Sequence, residues 1–283
     1  MTINTVMVIG AGQMGGGIAQ VMAQAGLKTY LHDVSGEIVE SRIKFIDGLL
    51  AKGVAKGRMT EEEKAATLAN LIPSTDLNNA ADCDLVVEAI VENMAIKGKV
   101  FGDLDNIAKE SCILATNTSS LPITEIAAFT KRPEKVVGMH FMNPVPIMKL
   151  VEIIRGLATT DETYQAIHDL TLKLNKVPVE VRDVPGFISN RVLQMMINEA
   201  IHCLYEGVAT AEDIDNVLKL GMNHPMGPLQ LADFIGLDTI LSIMEIMHEG
   251  YGDSKYRPSP LLRQYVKAGW VGKKAGRGFY TYE

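Results

Sequence analysis

The chain contains very little cysteine: three residues among 283, all far apart. Cys83, Cys112 and Cys203 each lie in an apolar stretch, and they form neither a CxxC pair nor a zinc-type spacing. This pattern excludes a disulfide-stapled scaffold and a cysteine-based metal site. We therefore expect three reduced thiols in the protein core and no bound metal.

Long apolar runs and an excess of positive charge are also missing. No run is long enough to cross a bilayer, and the first strand-like segment starts too near residue 1 to leave room for a signal peptide. The net charge of −7 disfavours nucleic acid and anionic membranes as partners. With 47% hydrophobic residues, the composition is that of a globular protein with a real core. We expect a cytoplasmic enzyme.

What the sequence does contain, at its start, is a strand, a glycine turn and a helix. The apolar run 6–9 leads into the turn, and a helical stretch follows over residues 16–25. Glycines at this spacing permit a tight turn, a close approach to a pyrophosphate, and close packing of the helix on the strand. The helix amino end would then face the phosphates, so the segment predicts a dinucleotide site. The turn reads Gly10-Ala11-Gly12-Gln13-Met14-Gly15.

A carboxylate at the end of the next predicted strand supports this interpretation. Asp33 closes the strand over residues 28–33, about 20 residues beyond the glycines, where the dinucleotide fingerprint places an acidic residue. Its carboxylate can bind the two hydroxyls of the adenosine ribose and would repel a 2′-phosphate. We therefore expect NAD rather than NADP.

Two helical segments, 37–52 and 60–70, follow where a nucleotide fold would normally go directly to its next strand. Thr60 and Glu63 form a predicted capping box at the start of the second segment. The pair predicts a helical hairpin inserted in the nucleotide domain. Its link carries Lys52, Lys56 and Arg58. This basic link has two interpretations: a solvated helix end, or a contact for a phosphorylated substrate.

Polar residues follow two further predicted strands. Strand 84–90 leads to Glu92 and to Lys97 in the next helix, and strand 113–116 leads to Asn117-Thr118-Ser119-Ser120. Open α/β sheets bind ligands at the carboxyl edge of their strands, so these groups are candidates for the site. One serine can cap the helix predicted over residues 122–129 while the other faces the ligand.

A histidine and a carboxylate end this series of candidates. Strand 136–139 delivers His140. The strand predicted over 149–154 carries Glu152 as the odd charge within its apolar run, 150–154. A charge within a buried strand needs a partner, and His140 is the obvious one. A lone histidine is more often structural than catalytic, but one at a strand end beside a nucleotide site, with a carboxylate available, is a candidate general base.

The pattern changes at Pro185-Gly186, after a helix over 161–174 and a strand over 177–181. We predict a Rossmann-type, mostly parallel α/β domain over residues 1–184 and an all-α domain over 185–283. The apolar segment 240–247 favours a subunit interface, with a plain core as the alternative. Helices are predicted over 187–206, 210–220, 228–235, 238–249 and 260–268, and an irregular tail packs back from 269.

Several motifs in order resemble the L-3-hydroxyacyl-CoA dehydrogenase family, and most closely its short bacterial 3-hydroxybutyryl-CoA dehydrogenases. The resemblance covers the whole chain and is far more specific than the glycine turn alone. The motifs are the turn 10–15, the segment 84–92, Asn117-Thr118-Ser119-Ser120, His140-Phe141-Met142-Asn143-Pro144, Pro185-Gly186-Phe187-Ile188-Ser189-Asn190-Arg191, and His224-Pro225-Met226-Gly227-Pro228.

This resemblance implies interconversion of L-3-hydroxyacyl-CoA and 3-ketoacyl-CoA with NAD, a reaction of fatty acid and butyrate metabolism. It implies a homodimer built through the helical domain, with higher oligomers left open. It makes His140 the catalytic base, Glu152 its partner, and Ser119 and Asn190 groups around the reacting oxygen, in a cleft between the domains. Lys52 or Lys56 become candidates for the phosphates of coenzyme A. Cofactor contacts implied beyond the glycine turn are Asp33, Glu92, Lys97, Ser119, Asn143 and Lys274.

Two competing functions fit parts of the same pattern. The 6-phosphogluconate-type dehydrogenases look similar in the first domain but use a lysine on the helix that opens the second domain. The segment 187–206 contains no lysine, which argues against them. A protein that binds NAD without catalysis is the other alternative, and the presence of all four predicted catalytic residues argues against it.

Overall fold

The computed structural model describes residues 2–283, and the chain divides into two compact units. The first unit ends at Asp183 and the second spans Val184–Glu283. The boundary predicted from the sequence lies one residue later. Because Pro185 and Gly186 follow directly, the change of unit occurs where the predicted boundary signal stands.

The first unit is an eight-stranded sheet covered by helices. Its strands are β1 (Thr5–Ile9), β2 (Lys28–His32), β3 (Leu71–Ser74), β4 (Leu85–Glu88), β5 (Ile113–Thr116), β6 (Val136–Phe141), β7 (Leu150–Arg155) and β8 (Val177–Arg182). Their order is β3-β2-β1-β4-β5-β6-β7-β8. Within residues 2–283, β6 and β7 pair antiparallel and the other neighbours pair parallel. The helices are α1 (Gln13–Gln24), α2 (Gly36–Ala55), α3 (Glu61–Asn70), α4 (Met94–Ile107), α5 (Ile123–Ala127) and α6 (Asp161–Lys173).

The inner strands are apolar because both faces of the sheet are covered. Every residue of β4 and β5 is buried, as expected for parallel strands between helical layers. The strand β3 was not predicted, since Pro73 lies within it. It forms at the sheet edge, where a missing backbone N–H leaves no partner unsatisfied.

The two inserted helices form as predicted: α2 and α3 follow each other in sequence and pack against each other. Thr60 Oγ1 accepts a hydrogen bond from Glu63 N at 3.1 Å, and Glu63 Oε2 accepts one from Thr60 N at 2.8 Å. The capping box is therefore confirmed. The helix α1 begins earlier than predicted, at Gln13, because the second half of the glycine turn is already its first turn.

The second unit is helical: α7 (Ser189–Tyr205), α8 (Ala211–Asn216), α9 (Pro228–Ile235), α10 (Leu237–Tyr251) and α11 (Pro260–Lys267). The apolar segment 240–247 supplies mainly core, since Ile240, Ile243, Met244 and Met247 are buried within this unit. The large exposed apolar side chains lie elsewhere in it, among them Val192, Val208, Leu220 and Phe234. A Rossmann-type sheet followed by a helical domain was the predicted fold class, and it is confirmed.

The cysteines are unpaired thiols. Cys83 and Cys112 are buried, and burial raises the pKa of each thiol to about 12. Cys203 is half-buried and packs against the apolar core of the second unit, so it lies at the margin of a core rather than inside it. Among residues 2–283, no helix combines the length and the apolar character needed to cross a membrane.

Candidate active site

The carboxyl ends of four neighbouring strands define the candidate site in the first unit. Strands β1, β4, β5 and β6 are parallel and adjacent, so they end at the same edge of the sheet. The chain runs outward in both directions from the β1–β4 pair, which makes this pair the topological switch point. Ligands of open α/β sheets bind in the crevice outside such a point.

The glycine turn after β1 has the shape that a pyrophosphate requires. Gly10 has φ +100°, and a Cβ on it would lie 2.5 Å from Ala89 O. A Cβ on Gly15 would lie 1.7 Å from Gly10 O, so the strand and the helix approach too closely for a side chain. Gly12 begins α1 without a side-chain cap, and a Cβ built on it has no atom within 4 Å. The uncapped amino end of α1 therefore faces open space and fits a phosphate ligand.

Asp33 is held against this turn. Its Oδ2 accepts a hydrogen bond from Ala11 N at 2.9 Å, which places the carboxylate beside the glycines as the sequence predicts. Arg42 of α2 donates from Nε to Ala11 O at 3.0 Å, a contact that no sequence pattern indicated. A cavity of about 570 Å³ adjoins the turn and Arg42. Ala11 and five residues of α2 line this cavity.

A buried lysine in the first turn of α4 lies between two carboxylates. One belongs to the last residue of β4 and the other to the segment between β4 and α4. The Lys97 ammonium is 2.6 Å from Glu88 Oε1 and 3.3 Å from Glu92 Oε2. Both Lys97 and Glu88 are fully buried, and Glu88 also accepts hydrogen bonds from Thr116 Oγ1 at 2.8 Å and from Ile90 N at 2.6 Å. A buried charge is tolerated when it is paired and hydrogen-bonded, and Glu88 satisfies that condition for Lys97.

Glu92 then organises the polar loop that follows β5. Its Oε1 accepts hydrogen bonds from Thr118 Oγ1 at 2.5 Å, from Ser119 N at 2.8 Å and from Ser120 N at 3.2 Å. Burial raises the pKa of Glu92. Lys97 and the hydrogen bonds from Thr118 and Ser119 lower it by more, so the pKa lies below its ordinary value. Glu92 is thus an anion that links the ends of β4 and β5.

His140 and Glu152 face each other across the antiparallel pair of strands. They occupy directly opposed positions of β6 and β7, and His140 Nδ1 lies 2.8 Å from Glu152 Oε2. Both residues are buried. The strand β6 extends two residues beyond its predicted end, so His140 is part of the ladder rather than of the loop after it. The pairing predicted from a lone charge in an apolar run is present.

Two asparagines connect the end of β6, which carries His140, to the neighbouring loops at the carboxyl edge of the sheet. Asn117 Oδ1 accepts a hydrogen bond from Phe141 N at 2.9 Å, which ties the loop after β5 to the end of β6. Asn143 Oδ1 accepts one from Gln13 Nε2 at 3.1 Å, which ties the segment after β6 to the glycine turn. The first unit thus connects the glycine turn, the Ser119 loop and the His140–Glu152 pair.

Four predicted residues lie outside this cluster of contacts. Lys52 and Lys56 are exposed at the end of α2, with Lys56 as its carboxyl-terminal cap. Asn190 is the second residue of α7 in the second unit, where its Oδ1 accepts a 3.4 Å hydrogen bond from Gln194. Lys274 belongs to the tail of that unit and pairs with Asp238 Oδ2 at 2.7 Å. Their roles in binding stay predictions.

Besides Arg42, the roles of Glu88 and Asn117 were not predicted from the sequence. Glu88 is the one charge in the apolar run 85–90, so the rule that identified Glu152 would also have found Glu88. Asn117 was part of a polar motif, but nothing in that motif indicated a hydrogen bond to the next strand.

Comparison with known proteins agrees with this architecture. A family model described as "3-hydroxyacyl-CoA dehydrogenase, NAD binding domain" matches residues 5–184. A second, described as "3-hydroxyacyl-CoA dehydrogenase, C-terminal domain", matches residues 186–282. Together they cover nearly the whole chain.

Individual proteins match over the same extent. The probable 3-hydroxybutyryl-CoA dehydrogenase of Bacillus subtilis is 61% identical over 283 residues, which cover 100% of this chain and 99% of that protein. The human mitochondrial hydroxyacyl-coenzyme A dehydrogenase is 44% identical over 99% of this chain and 92% of its own length. The crystal structure of (S)-3-hydroxybutyryl-CoA dehydrogenase from Ralstonia eutropha is 46% identical, covers both chains completely and superposes with a TM-score of 0.98. The chain belongs to the 3-hydroxyacyl-CoA dehydrogenase family and is an NAD-dependent dehydrogenase.

Proposed function

We propose that this protein interconverts L-3-hydroxybutyryl-CoA and acetoacetyl-CoA with NAD(H), using His140 as the general acid and base. The observation that carries the proposal is the buried His140–Glu152 pair, 2.8 Å apart, with His140 near the carboxyl end of β6, two strands from β4 in the sheet. Relatives that match the full chain bear the name 3-hydroxybutyryl-CoA dehydrogenase, which supports the four-carbon substrate.

The protonation chemistry follows from the partners of the imidazole. A carboxylate only accepts hydrogen bonds, so Glu152 favours the tautomer with the proton on Nδ1. The Nε2 atom then carries the lone pair and takes the proton of the substrate hydroxyl, once the hydroxyl comes within about 2.6–3.2 Å. Glu152 stabilises the imidazolium that forms, as in other base–carboxylate pairs. NAD supplies the hydride acceptor for the oxidation and NADH the donor for the reduction.

The remaining groups bind and orient the reactants. We assign the pyrophosphate to the amino end of α1 and the adenosine ribose to Asp33. Ser119, whose backbone is fixed by Glu92, is proposed to hold the substrate oxygen together with Asn190. Glu92, Lys97, Asn143 and Lys274 complete the proposed cofactor contacts.

Replacement of Asp33 by alanine tests the assignment of the ribose. We expect weaker binding of NAD and a smaller preference for NAD over NADP, because the carboxylate that binds the ribose hydroxyls and repels a 2′-phosphate is removed. The measurement is kcat/KM with each cofactor. Glu40→Ala, an equal charge change at an exposed position of α2, is the control. A natural protein that already prefers NADP would refute this role of Asp33.

Replacement of Lys56 by alanine tests contact with coenzyme A. We expect a higher KM for the CoA thioester, because the Lys56 ammonium that would pair with its phosphates is removed. The KM for an analogue that lacks the nucleotide phosphates should stay unchanged, since this analogue has no phosphate for Lys56 to bind. Lys44→Ala, at another exposed position of α2, is the control. Equal effects on both substrates would rule out a phosphate contact at Lys56.

We further propose that the protein works as a cytoplasmic homodimer in butyrate metabolism. The exposed apolar side chains of the second unit, such as Val192, Val208 and Leu220, support self-association through that unit. The mass of the particle in solution tests this proposal. A monomer would contradict it, whereas a dimer or a higher assembly of dimers would agree with it.

One assay tests the proposed reaction: oxidation of NADH in the presence of acetoacetyl-CoA. We expect acetoacetyl-CoA to be reduced to L-3-hydroxybutyryl-CoA. Oxidation of 6-phosphogluconate instead would favour the competing dehydrogenase class. NADH binding without turnover of any 3-ketoacyl-CoA would favour a non-catalytic protein.

A further inference from the structure

The segment between β6 and β7, residues 142–149, joins the two strands that carry His140 and Glu152. We call it the β6–β7 loop. Its backbone is folded on itself, with Ile147 N and Met148 N both donating to Pro144 O at 3.0 Å. One end contacts the glycine turn through the 3.1 Å hydrogen bond between Asn143 and Gln13. The loop therefore bridges the cofactor side of the site and the proposed acid–base pair.

The same loop packs closely against the helix that follows the glycine turn. Val145 is buried, and a Cβ built on Gly17 of α1 would approach Val145 Cβ to 2.9 Å. The remaining side chains of the loop, from Pro146 to Lys149, are exposed. Only a small part of the loop is thus held by apolar packing, and its conformation depends on how its backbone groups are bonded.

A buried ammonium bonds two of these backbone groups. Lys176, just before β8, donates from Nζ to Val145 O at 2.6 Å and to Met148 O at 2.7 Å. The residue is only 6% exposed, and burial lowers the pKa of its ammonium. Among residues 2–283, no carboxylate forms an ion pair with it.

This arrangement is energetically unfavourable for a lysine unless its hydrogen bonds offset the burial of the charge. Burial of an ammonium without a counter-charge is costly, and a methionine of similar length would fill the same space at lower cost. The two carbonyls are the compensating partners, and a hydrogen bond that involves a charged group is stronger than a neutral one. The next residue extends the connection, since Val177 N donates to Lys149 O at 2.8 Å. The start of β8 therefore holds the loop along its inner side.

We propose that Lys176 is a positioning residue that fixes the β6–β7 loop, and through it Asn143 at the amino end of α1 and the alignment of His140 with Glu152. The first effect concerns NADH binding alone, whereas the second rests on the proposed function. Lys176 itself contacts neither reactant in this scheme. It acts through two main-chain carbonyls that lie 31 and 28 residues away in sequence.

The test compares three replacements of Lys176 in the full-length protein. Lys176→Met keeps the length of the side chain but removes the donors, Lys176→Gln keeps one neutral donor group, and Lys176→Arg keeps the charge. Lys173→Met, an exposed lysine at the end of α6, is the matched control. The measurements are the NADH dissociation constant from a fluorescence titration, kcat with acetoacetyl-CoA, and the midpoint of thermal unfolding.

We expect Lys176→Met to raise the NADH dissociation constant by roughly tenfold and to lower kcat. A tenfold change corresponds to the free energy of about one charge-assisted hydrogen bond. Lys176→Gln should lie between this variant and the natural protein, Lys176→Arg should restore most of the binding, and Lys173→Met should change nothing. If Lys176→Met does not fold, Lys176→Gln provides the same comparison.

Two outcomes would overturn the proposal. In one, Lys176→Gln or Lys176→Met binds NADH as tightly and turns over as fast as the natural protein. In the other, the unfolding midpoint falls while NADH binding and kcat below the midpoint stay unchanged, which would make Lys176 a purely structural residue. If the natural protein does not reduce acetoacetyl-CoA, the proposed function fails, and the NADH titrations still decide the role of Lys176.

Discussion

Replacing His140 by glutamine is expected to lower kcat with acetoacetyl-CoA by roughly 10²–10⁴-fold, the usual contribution of a positioned acid–base group. Glutamine can still hydrogen-bond to Glu152 but cannot accept or deliver a proton at neutral pH. NADH binding should stay close to that of the natural protein, because the glycine turn and Asp33 are held by contacts of their own. Steady-state kinetics and an NADH titration measure the two effects separately.

The control for this variant is His168→Gln. His168 is a partly exposed histidine of α6 that contacts Gln165 and Asp169, so its loss should leave turnover unchanged. Near-normal turnover of His140→Gln would remove His140 from the acid–base role. A parallel loss of NADH binding would point to damage of the fold instead.

Replacing Glu152 by glutamine should also cause a large loss of turnover, on the order of 10²–10⁴-fold, with little change in NADH affinity. The amide keeps the size of the side chain but lacks the charge that stabilises the imidazolium. It can also present a donor to Nδ1, which would favour the wrong tautomer of His140. The kcat, its pH dependence and the NADH dissociation constant are the measurements.

Glu180→Gln is the matched control for Glu152. It lies on the neighbouring strand β8, and its carboxylate forms an exposed contact with Arg155, so the same chemical change should have no effect on kcat. Unchanged kinetics of Glu152→Gln would make Glu152 a structural charge only.

The two variants combined give a further check. If His140 and Glu152 act as one unit, the double variant should be little slower than His140→Gln alone, since groups that work together are not additive. Multiplied effects would indicate that Glu152 acts independently of the histidine.

The His140–Glu152 pair could be predicted because each residue carries a local sign of its environment. Glu152 interrupts an apolar strand, and His140 follows the preceding one. Two strands that are adjacent in sequence usually pair, so the histidine was the nearest partner available. The antiparallel register that sets the residues directly opposite each other could not be predicted, since the loop between the strands has no standard hairpin length.

The network around Lys97 shows the opposite case. Lys97 and Glu92 were candidates from their position after a strand, but the partner that balances the lysine is Glu88, inside the strand itself. A side chain at the end of a strand points toward the neighbouring strand or toward solvent according to the sheet around it. Because β5 lies beside β4, Thr116 and the Ser119 loop complete the network.

The sequence by itself determined the fold class and the dinucleotide turn, and it predicted that Asp33 lies beside this turn and that His140 pairs with Glu152. These features are local: each depends on residue types at short spacing, which set the backbone conformation and the burial of a strand or helix. Only the tertiary structure decided which distant groups meet, namely Arg42 at Ala11, Glu88 at Lys97, Asn117 at Phe141 and Lys176 at the β6–β7 loop. Such contacts depend on strand order and register, which arise from the packing of the whole sheet.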